Sequence, residues 1–594
     1  MTLDGPLSAP VLGVSRSLSN RRWRWRAGEG RAGLGIAERL QVPEIVGRLL
    51  AQRGIGLESA ADYLEPTLRS LLPDPAVLRD MDRAAARLAE AAAAGETVAV
   101  FGDYDVDGAC GGALLTGLLR SLGCTVLPYV PDRLSEGYGP NLPALRGLIE
   151  RGATLIVCVD CGTAAGAVFQ GVAGEADVVV LDHHKAEGPP PEILATVNPN
   201  RPDCASGLGA LCATGVAFMV AVGLLRELRR GGHFGGDPEP DLFALLDLVA
   251  LATVCDVMPL AGLNRAFVTQ GLKVMARRER PGIAALLEVA QVSGSPSAGT
   301  LGFVLGPRIN AGGRISEADL GLRLLLSDDP AEARGLASTL DAVNRQRQAV
   351  EATMLEAALE AAGEQLAAGH AAVLVAGAEW HPGVVGIVAG RIKEQFNRPA
   401  CVAALADGIA RGSGRSVAGL DLGAAVIAAR AGGVLLTGGG HAMAAGFSLP
   451  QTKLAEFHAF LDAHLASAAD LPPAADLLVE GAVAVLGCTT ELAQQIGRLA
   501  PFGNGNEEPT LVLPRVRVMR ADRVGRERNA IRAFVEGEGG GRLKAMLFRA
   551  GEGALAEALL RSDRGLLHLA GHLRAEQWNG TSAAGFVITD VAKA

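Results

Sequence analysis

The stretch Thr97-Val98-Ala99-Val100-Phe101-Gly102-Asp103-Tyr104-Asp105-Val106-Asp107-Gly108 is an apolar, β-branched run that stops abruptly in carboxylates. Thr97–Phe101 reads as a buried strand, and the Gly-Asp junction marks its end. Two further runs end the same way: Thr154–Val159 at Asp160, and Ala176–Leu181 at Asp182-His183-His184. A helix-like segment, Leu242–Val254, delivers Asp256. Helical stretches such as Gly111–Leu122 and Leu142–Arg151 separate the runs. This alternation predicts an α/β fold with a parallel sheet and crossover helices. In such sheets ligands bind beyond the carboxyl ends of the strands, where these acids lie.

Acids and imidazoles gathered at buried strand ends need a counter-charge, and a pair of divalent metal ions is the expected one. Asp105 and Asp107, one residue apart on a turn that Gly108 permits, reach two adjacent ions. Asp160 can bridge them, His183 adds a nitrogen, and Asp256 closes the second shell. Mixed carboxylate and imidazole ligation suits Mn²⁺ or Mg²⁺ better than a closed thiolate zinc site. Two ions about 4 Å apart acidify a water between them and clamp a leaving oxygen, which favours in-line attack on phosphorus. An Asp at a strand end is often a helix N-cap, but that accounts for one such residue more readily than for all of them.

With 594 residues the chain is too long for one core, and roughly three to five domains are expected. Hydrophobic residues make up 49% and charged residues 20%, so the chain is globular rather than disordered. The net charge of −9 means that any nucleic acid must be bound by local basic patches. No apolar run approaches the roughly 20 residues of a membrane span, and no apolar leader is visible. A cytoplasmic, reduced protein is expected, without membrane association. Cys158 and Cys161 form an isolated C-x-x-C, read as small residues flanking Asp160 rather than as a zinc or redox site.

Outward from the acidic runs, the expected domains are an Arg/Trp-rich arm (residues 1–44), a catalytic α/β domain (45–330), a long connecting helix (331–368), a second α/β domain (369–468) and a terminal domain (469–594). Helices are expected at Pro43–Gly54 and Asp80–Ala94. In the arm, Arg21-Arg22-Trp23-Arg24-Trp25-Arg26 has two readings: a track for a phosphate backbone with stacking aromatics, or a segment that docks on its own protein. After Leu471-Pro472-Pro473, short strands at Leu511–Met519, Ala530–Glu536, Arg542–Phe548, Gly565–Leu573 and Ala584–Ile588 suggest an OB-like β-barrel. Its basic candidates for a single strand are Arg515, Arg517, Arg520 and Arg523, and its aromatics Phe534, Phe548 and Trp578. Phe at strand spacing is more often core.

Asp103–Gly108, Asp160, Asp182-His183-His184 and Asp256 match, in order and spacing, the motifs of the DHH phosphoesterase superfamily. Gly438-Gly439-Gly440-His441-Ala442-Met443-Ala444-Ala445-Gly446-Phe447 resembles the glycine-rich motif of the DHH-associated domain. Gly306-Pro307-Arg308-Ile309-Asn310-Ala311-Gly312-Gly313-Arg314, Trp380-His381-Pro382-Gly383-Val384-Val385-Gly386-Ile387 and Pro501-Phe502-Gly503-Asn504-Gly505-Asn506-Glu507-Glu508-Pro509 narrow the likeness to the RecJ family of single-strand-specific 5′→3′ exonucleases. The likeness spans residues 45 to 515. One position departs: many superfamily members carry His four residues before the first Asp of D-x-D, and here Phe101 stands there, with Asp103 the substitute ligand.

The resemblance and the chemistry together imply roles. Asp103, Asp105, Asp107, Asp160, His183 and Asp256 are the metal ligands for two Mn²⁺ or Mg²⁺ ions, with Asp160 and His183 central to catalysis. Asp182 orients a histidine from the second shell or ligates. His184 contacts the scissile phosphate or protonates the leaving oxygen. Arg308, Asn310 and Arg314, in a Gly-rich turn, grip the phosphate backbone or pack against their own acidic site. Ser413, Arg415 and Ser416 contact phosphate, Gly439, Gly440 and His441 offer an anion-binding nest, and His381 is either substrate-facing or structural.

The implied activity is release of 5′ mononucleotides from single-stranded DNA in recombination and repair, by a monomer. Single-strand-binding protein and a RecQ-type helicase are implied partners, and strand polarity comes from the resemblance alone. A superfamily phosphoesterase of oligoribonucleotides or other small phosphoesters is the alternative, opposed by the connecting helix and the terminal barrel. A catalytically inactive single-strand-binding module is a second alternative, opposed by the intact acidic set.

Overall fold

The computed structural model describes residues 9–28, 30–133, 135–185, 188–236, 238–471, 474–525, 527–561, 565–578 and 581–594. The start of the arm, Pro472-Pro473 and the side chain of Trp578 lie outside the described residues. The chain divides into two compact units: residues 62–346 with 501–507, and residues 1–61, 347–500 and 508–594. Among the described residues no helix is long and apolar enough to cross a membrane.

The first strand, β1 (Trp23–Trp25), belongs to the second unit. The first unit is built on β2 (Thr97–Gly102), β3 (Thr125–Tyr129), β4 (Leu155–Val159), β5 (Asp177–Leu181) and β6 (Ala195–Val197). They form an all-parallel sheet in the order β3-β2-β4-β5-β6. Every residue of β4 is buried, as expected where helices cover both faces. Side chains alternate between the faces. Val98 and Val100 enter a core with the helices Val106–Ser121 and Ala213–Arg230. Ala99 and Phe101 enter another with Leu145 and Leu148 of the helix Leu142–Glu150.

Register places the site. Gly102 pairs with Val159, and Val159 with Leu181. The next residues, Asp103, Asp160 and Asp182, therefore leave the sheet side by side. The turn expected at Asp105–Gly108 is instead the start of a helix. Asp105 caps it, its Oδ1 accepting from the amides of Asp107 (2.9 Å) and Gly108 (3.1 Å). Gly108 is needed for another reason: a Cβ there would overlap the Asp103 backbone.

The 38-residue helix Pro330–Ala367 links the two units as the sequence suggested, and the division falls after Gln346. In the second unit β7 (Val373–Gly377), β8 (Ala400–Ala406), β9 (Ile409–Arg415), β10 (Thr437–His441) and β11 (Ala444–Pro450) form a sheet in the order β10-β11-β9-β8-β7. Only β7 and β8 pair in parallel. The β8–β9 turn, Asp407-Gly408, has positive φ at both residues (52° and 73°), the backbone that a tight two-residue hairpin requires.

Strand β12 (Leu477–Val479) pairs with β1, and β13 (Gly481–Ala482) leads into the barrel. Its strands are β14 (Leu511–Val524), β15 (Ala530–Gly537), β16 (Arg542–Leu547), β17 (Leu567–Trp578) and β18 (Thr581–Lys593). The order β14-β15-β16-β18-β17 closes through β14–β17 pairing, and the helix Ala554–Leu560 sits between β16 and β17, as in an OB-fold. Four strands are longer than the sequence suggested, with bulges at Val518/Arg520, Leu513/Val516 and Ala570/Gly571 absorbing the curvature.

The arm is docked on its own unit. Trp23 is fully buried with Val479, Val512, Ala570 and Ala592, and its Nε1 donates to Asp590 Oδ2 at 2.8 Å. Arg22 and Arg24 pair with Asp476, and Arg26 and Arg53 with Glu480. Trp23→Ala is expected to cost about 3–5 kcal/mol, the usual figure for emptying a buried aromatic site. Trp23→Phe should cost about 1–3 kcal/mol, chiefly the hydrogen bond to a buried carboxylate. Urea unfolding of the full chain measures both.

Candidate metal centre and phosphate site

Four elements of the first unit bring the acids together. Asp103, Asp105 and Asp160 offer oxygens within 4.8 Å of one another, as do the donor atoms of Asp107, His183 and Asp256. His183 Nε2 lies 3.4 Å from Asp160 Oδ1 and 3.4 Å from Asp256 Oδ2, so it joins the two groups. Asp160 has φ of 64°, a left-handed conformation that Asp tolerates better than most residues. Phe101 is buried against Tyr129, and Asp103 takes its place in the cluster.

The electrostatics show what is needed. Asp103 Oδ1, Asp160 Oδ1 and Asp256 Oδ2 are buried without a hydrogen-bond partner. A native fold seldom leaves several carboxylate oxygens in that state unless a cation meets them. Burial, then the charge of Asp105, pushes Asp103 up to about 8. Burial, then Asp107, pushes Asp256 up to about 8 and also raises Asp105 and Asp160. Hard oxygens with one imidazole fit Mn²⁺ or Mg²⁺, so the residues present fit the expected ions.

Asp107 is also held from outside its own helix. Its oxygens accept from the amides of Ala213 (2.6 Å) and Thr214 (2.8 Å), at the N-terminus of the helix Ala213–Arg230. Asp182 points elsewhere. Its oxygens accept from the amides of His183, His184 and Thr163 and from His184 Nδ1 (2.8 Å). It therefore orients His184, and its acceptor capacity is spent on the protein. Burial alone would lower the His184 pKa, but the Asp182 hydrogen bond and charge push it up to about 9. Burial lowers His183, as a neutral nitrogen ligand requires.

Several supporting residues escaped sequence reading. Asn198 donates to the His184 carbonyl (2.9 Å) and to Thr163, and Asn200 donates to the His183 carbonyl (2.6 Å). Their signal is Asn198-Pro199-Asn200, which follows β6 at the same end of the sheet. The Tyr138 hydroxyl donates to the Asp160 carbonyl (2.9 Å), and its ring meets His184 edge-on.

Other expected contacts need correction. Arg308, Asn310 and Arg314 lie on a helix, Gly306–Ile315, not in a Gly-rich turn. Arg308 pairs with Asp341 at 2.9 Å, and Asn310 Oδ1 accepts from the Val106 amide, behind the D-x-D segment. Asn310 thus packs against the acidic site itself, whereas Arg308 is engaged by Asp341 on the long helix, away from the acids.

In the second unit Ser416 is buried and donates to the Leu420 carbonyl (2.8 Å), so it is structural and out of a ligand's reach. Gly439, Gly440 and His441 form edge strand β10 rather than a nest. His381 Nδ1 accepts from the Gly383 amide.

Ser413 and Arg415 stand side by side on β9, Arg415 Nη1 donating to Ser413 Oγ (3.1 Å) and to the Gly414 carbonyl (2.8 Å). Gly386, in the first turn of the helix Val385–Phe396, leaves room for the guanidinium. Burial lowers the Arg415 pKa and, among the described residues, no carboxylate is bonded to it, an arrangement that suits a phosphate ligand. Another metal-capable group, His370, His458 and Asp462, is spent on structure: Asp462 accepts from the amides of Ala371 and Ala372 and from His370, and His458 faces the Ala372 carbonyl.

On the barrel, Arg515 pairs with Glu538, Arg520 with Asp522, and Arg523 with backbone carbonyls. Phe534 and Phe548 are 41% and 54% exposed, against the core reading. Arg520 and Lys544 flank Phe534 across the sheet.

A doubly covered parallel sheet with a carboxylate–imidazole cluster at its carboxyl edge defines a metallophosphoesterase of the DHH type. Residues 97–253 match the DHH family N-terminal domain, 369–467 the DHHA1 domain and 479–590 the RecJ OB domain. The chain is 40% identical over 522 residues to the single-stranded-DNA-specific exonuclease RecJ of Dickeya dadantii, covering 84% of this chain and 88% of that protein. It is also similar to the crystal structure of Thermus thermophilus RecJ with Mn²⁺ (TM-score 0.79, 30% identity, 96% of this chain and 79% of that one). The Mg²⁺ complex of the same protein gives a TM-score of 0.72 at 29% identity, with 96% and 78% covered. The chain belongs to the RecJ family.

A metal–proton linkage follows from the raised carboxylates. A carboxyl group whose folded pKa is raised favours folding below its unfolded pKa, and that advantage is lost as pH rises through the folded value. Metal-free protein should therefore lose stability from about pH 4 to 8, and saturating Mn²⁺ should remove the loss. Mn²⁺ affinity should rise about tenfold per pH unit for each proton displaced. Calorimetry in buffers of different ionisation enthalpy measures the protons released.

Proposed function

We propose that this chain is a metal-dependent exonuclease of single-stranded DNA that acts 5′→3′ and releases mononucleotides in recombination and repair. The observation that carries the reading is the pair of buried oxygens, Asp160 Oδ1 and Asp256 Oδ2, that make no hydrogen bond and lie on either side of His183 Nε2, 3.4 Å from each. Bound divalent ions, two by this reading, supply Lewis acidity and activation of water.

The chain's own groups do the rest. Asp103, Asp105, Asp107, Asp160, His183 and Asp256 hold the ions. Asp182 fixes the His184 ring and keeps it cationic at neutral pH, and His184 contacts the scissile phosphate or gives its proton to the leaving oxygen. Ser413 and Arg415 hold a phosphate group, and exposed Phe534 and Phe548 with the nearby Arg520 and Lys544 support strand stacking on the barrel. Single-strand-binding protein and a RecQ-type helicase as partners, a monomeric state and a cytoplasmic setting complete the proposal.

The test is a time course on 5′- and 3′-labelled single- and double-stranded DNA with Mn²⁺ or Mg²⁺. Early mononucleotide release from the 5′ label of single strands is expected. Preference for dinucleotides would instead favour the small-phosphoester alternative. Asp160→Ala should lower kcat by at least about 10³. His184→Ala should lower kcat about 10²–10⁴-fold with Mn²⁺ affinity unchanged, the range for loss of one general acid. Full activity in an Asp160→Ala, His184→Ala double variant would remove the site assignment.

A further inference from the structure

The helix Leu246–Cys255 must stop at one residue for Asp256 to reach His183. The amide of Val257 bonds the Val254 carbonyl (3.2 Å) and that of Met258 bonds the Thr253 carbonyl (3.1 Å). Such a helix end needs a left-handed residue just past the cap, usually Gly and sometimes Asn. Here that residue is Val257, with φ of 57° and 63% exposed. A β-branched residue in this conformation is a strained outlier that its surroundings must enforce.

What meets it is a loop about 250 positions further along the chain, in the same compact unit. Asn504 Nδ2 donates to the Val257 carbonyl at 2.6 Å, and the Asn504 carbonyl accepts from the Leu260 amide at 2.8 Å. One residue thus spans the reversed segment Val257–Leu260. The loop itself is fastened. Gly503 and Asn506 exchange backbone hydrogen bonds, Asn506 Nδ2 donates to the Pro501 carbonyl (2.7 Å), and Tyr63 donates to Asn506 Oδ1 (2.7 Å). Gly503 packs where a Cβ would come within 2.8 Å of Leu260, and Gly505 turns at φ of 70°.

We propose that Asn504 is a positioning residue for the metal centre: it holds Val257 in its left-handed conformation and so aims the Asp256 carboxylate at the ions. The inference rests on the reading of Asp256 as a metal ligand. It gives a role to the Pro501–Pro509 motif, whose residues bear no metal ligand themselves.

The test measures Mn²⁺ affinity by calorimetry, with kcat and KM on a single strand, in Asn504→Ala, Val257→Gly, the double variant and Asp256→Ala. Asn504→Ala should weaken Mn²⁺ binding about tenfold, within the range for removing a group that orients a ligand. It should lower kcat with KM unchanged. Val257→Gly should stay within about twofold of wild type, since Gly adopts this φ without strain. In the double variant Gly should restore most of the lost affinity.

Unchanged Mn²⁺ affinity in Asn504→Ala, or a loss that Val257→Gly does not recover, overturns the proposal. So does a loss in folded Val257→Gly as large as that in Asn504→Ala. If Asp256→Ala itself leaves Mn²⁺ binding intact, it is the ligand assignment that fails.

Discussion

Buried like charges are the constraint on which this structure turns. Asp103, Asp105, Asp107, Asp160 and Asp256 crowd one edge of a sheet, and three of their buried oxygens make no hydrogen bond among the described residues. Such a cluster holds together only when protons or cations neutralise it, so the fold and the metal chemistry are the same problem. The surrounding architecture serves it. The sheet register lines up Asp103, Asp160 and Asp182, a helix N-terminus meets Asp107, and the Asn198 and Asn200 amides tie down the His-His backbone.

The two histidines divide the work through their neighbours. His183 sits among the carboxylates, yet burial lowers its pKa. His184, one residue on, is bonded to Asp182 and stays cationic. The pKa values of adjacent residues are thus shifted in opposite directions, because the Asp182 carboxylate bonds the ring of only one of them.

Much of this was legible in the sequence, because the decisive signals are local. Apolar runs ending in acid mark strands and their ends, and the long Ala- and Glu-rich segment without Pro marks a helix. What was hidden depends on pairing or on distant partners. Asp407-Gly408 is a hairpin signal, yet the second domain reads in sequence only as α/β, without the antiparallel β8–β9 pairing that this turn makes. Ser416 reads as a phosphate contact in its motif, but its hydroxyl is consumed by Leu420. The Arg/Trp arm reads equally as a nucleic-acid track, and only its contacts with Asp476, Glu480 and Asp590 decide otherwise. The left-handed backbone at Asp160 and Val257 leaves no mark in residue type.

The most direct measurement is a crystal structure of the Mn²⁺-loaded protein with anomalous scattering. The account predicts two peaks, one among Asp103, Asp105 and Asp160 and one among Asp107, His183 and Asp256. A single peak, or Mn²⁺ found at His370, His458 and Asp462 with none among the strand-end acids, would contradict it.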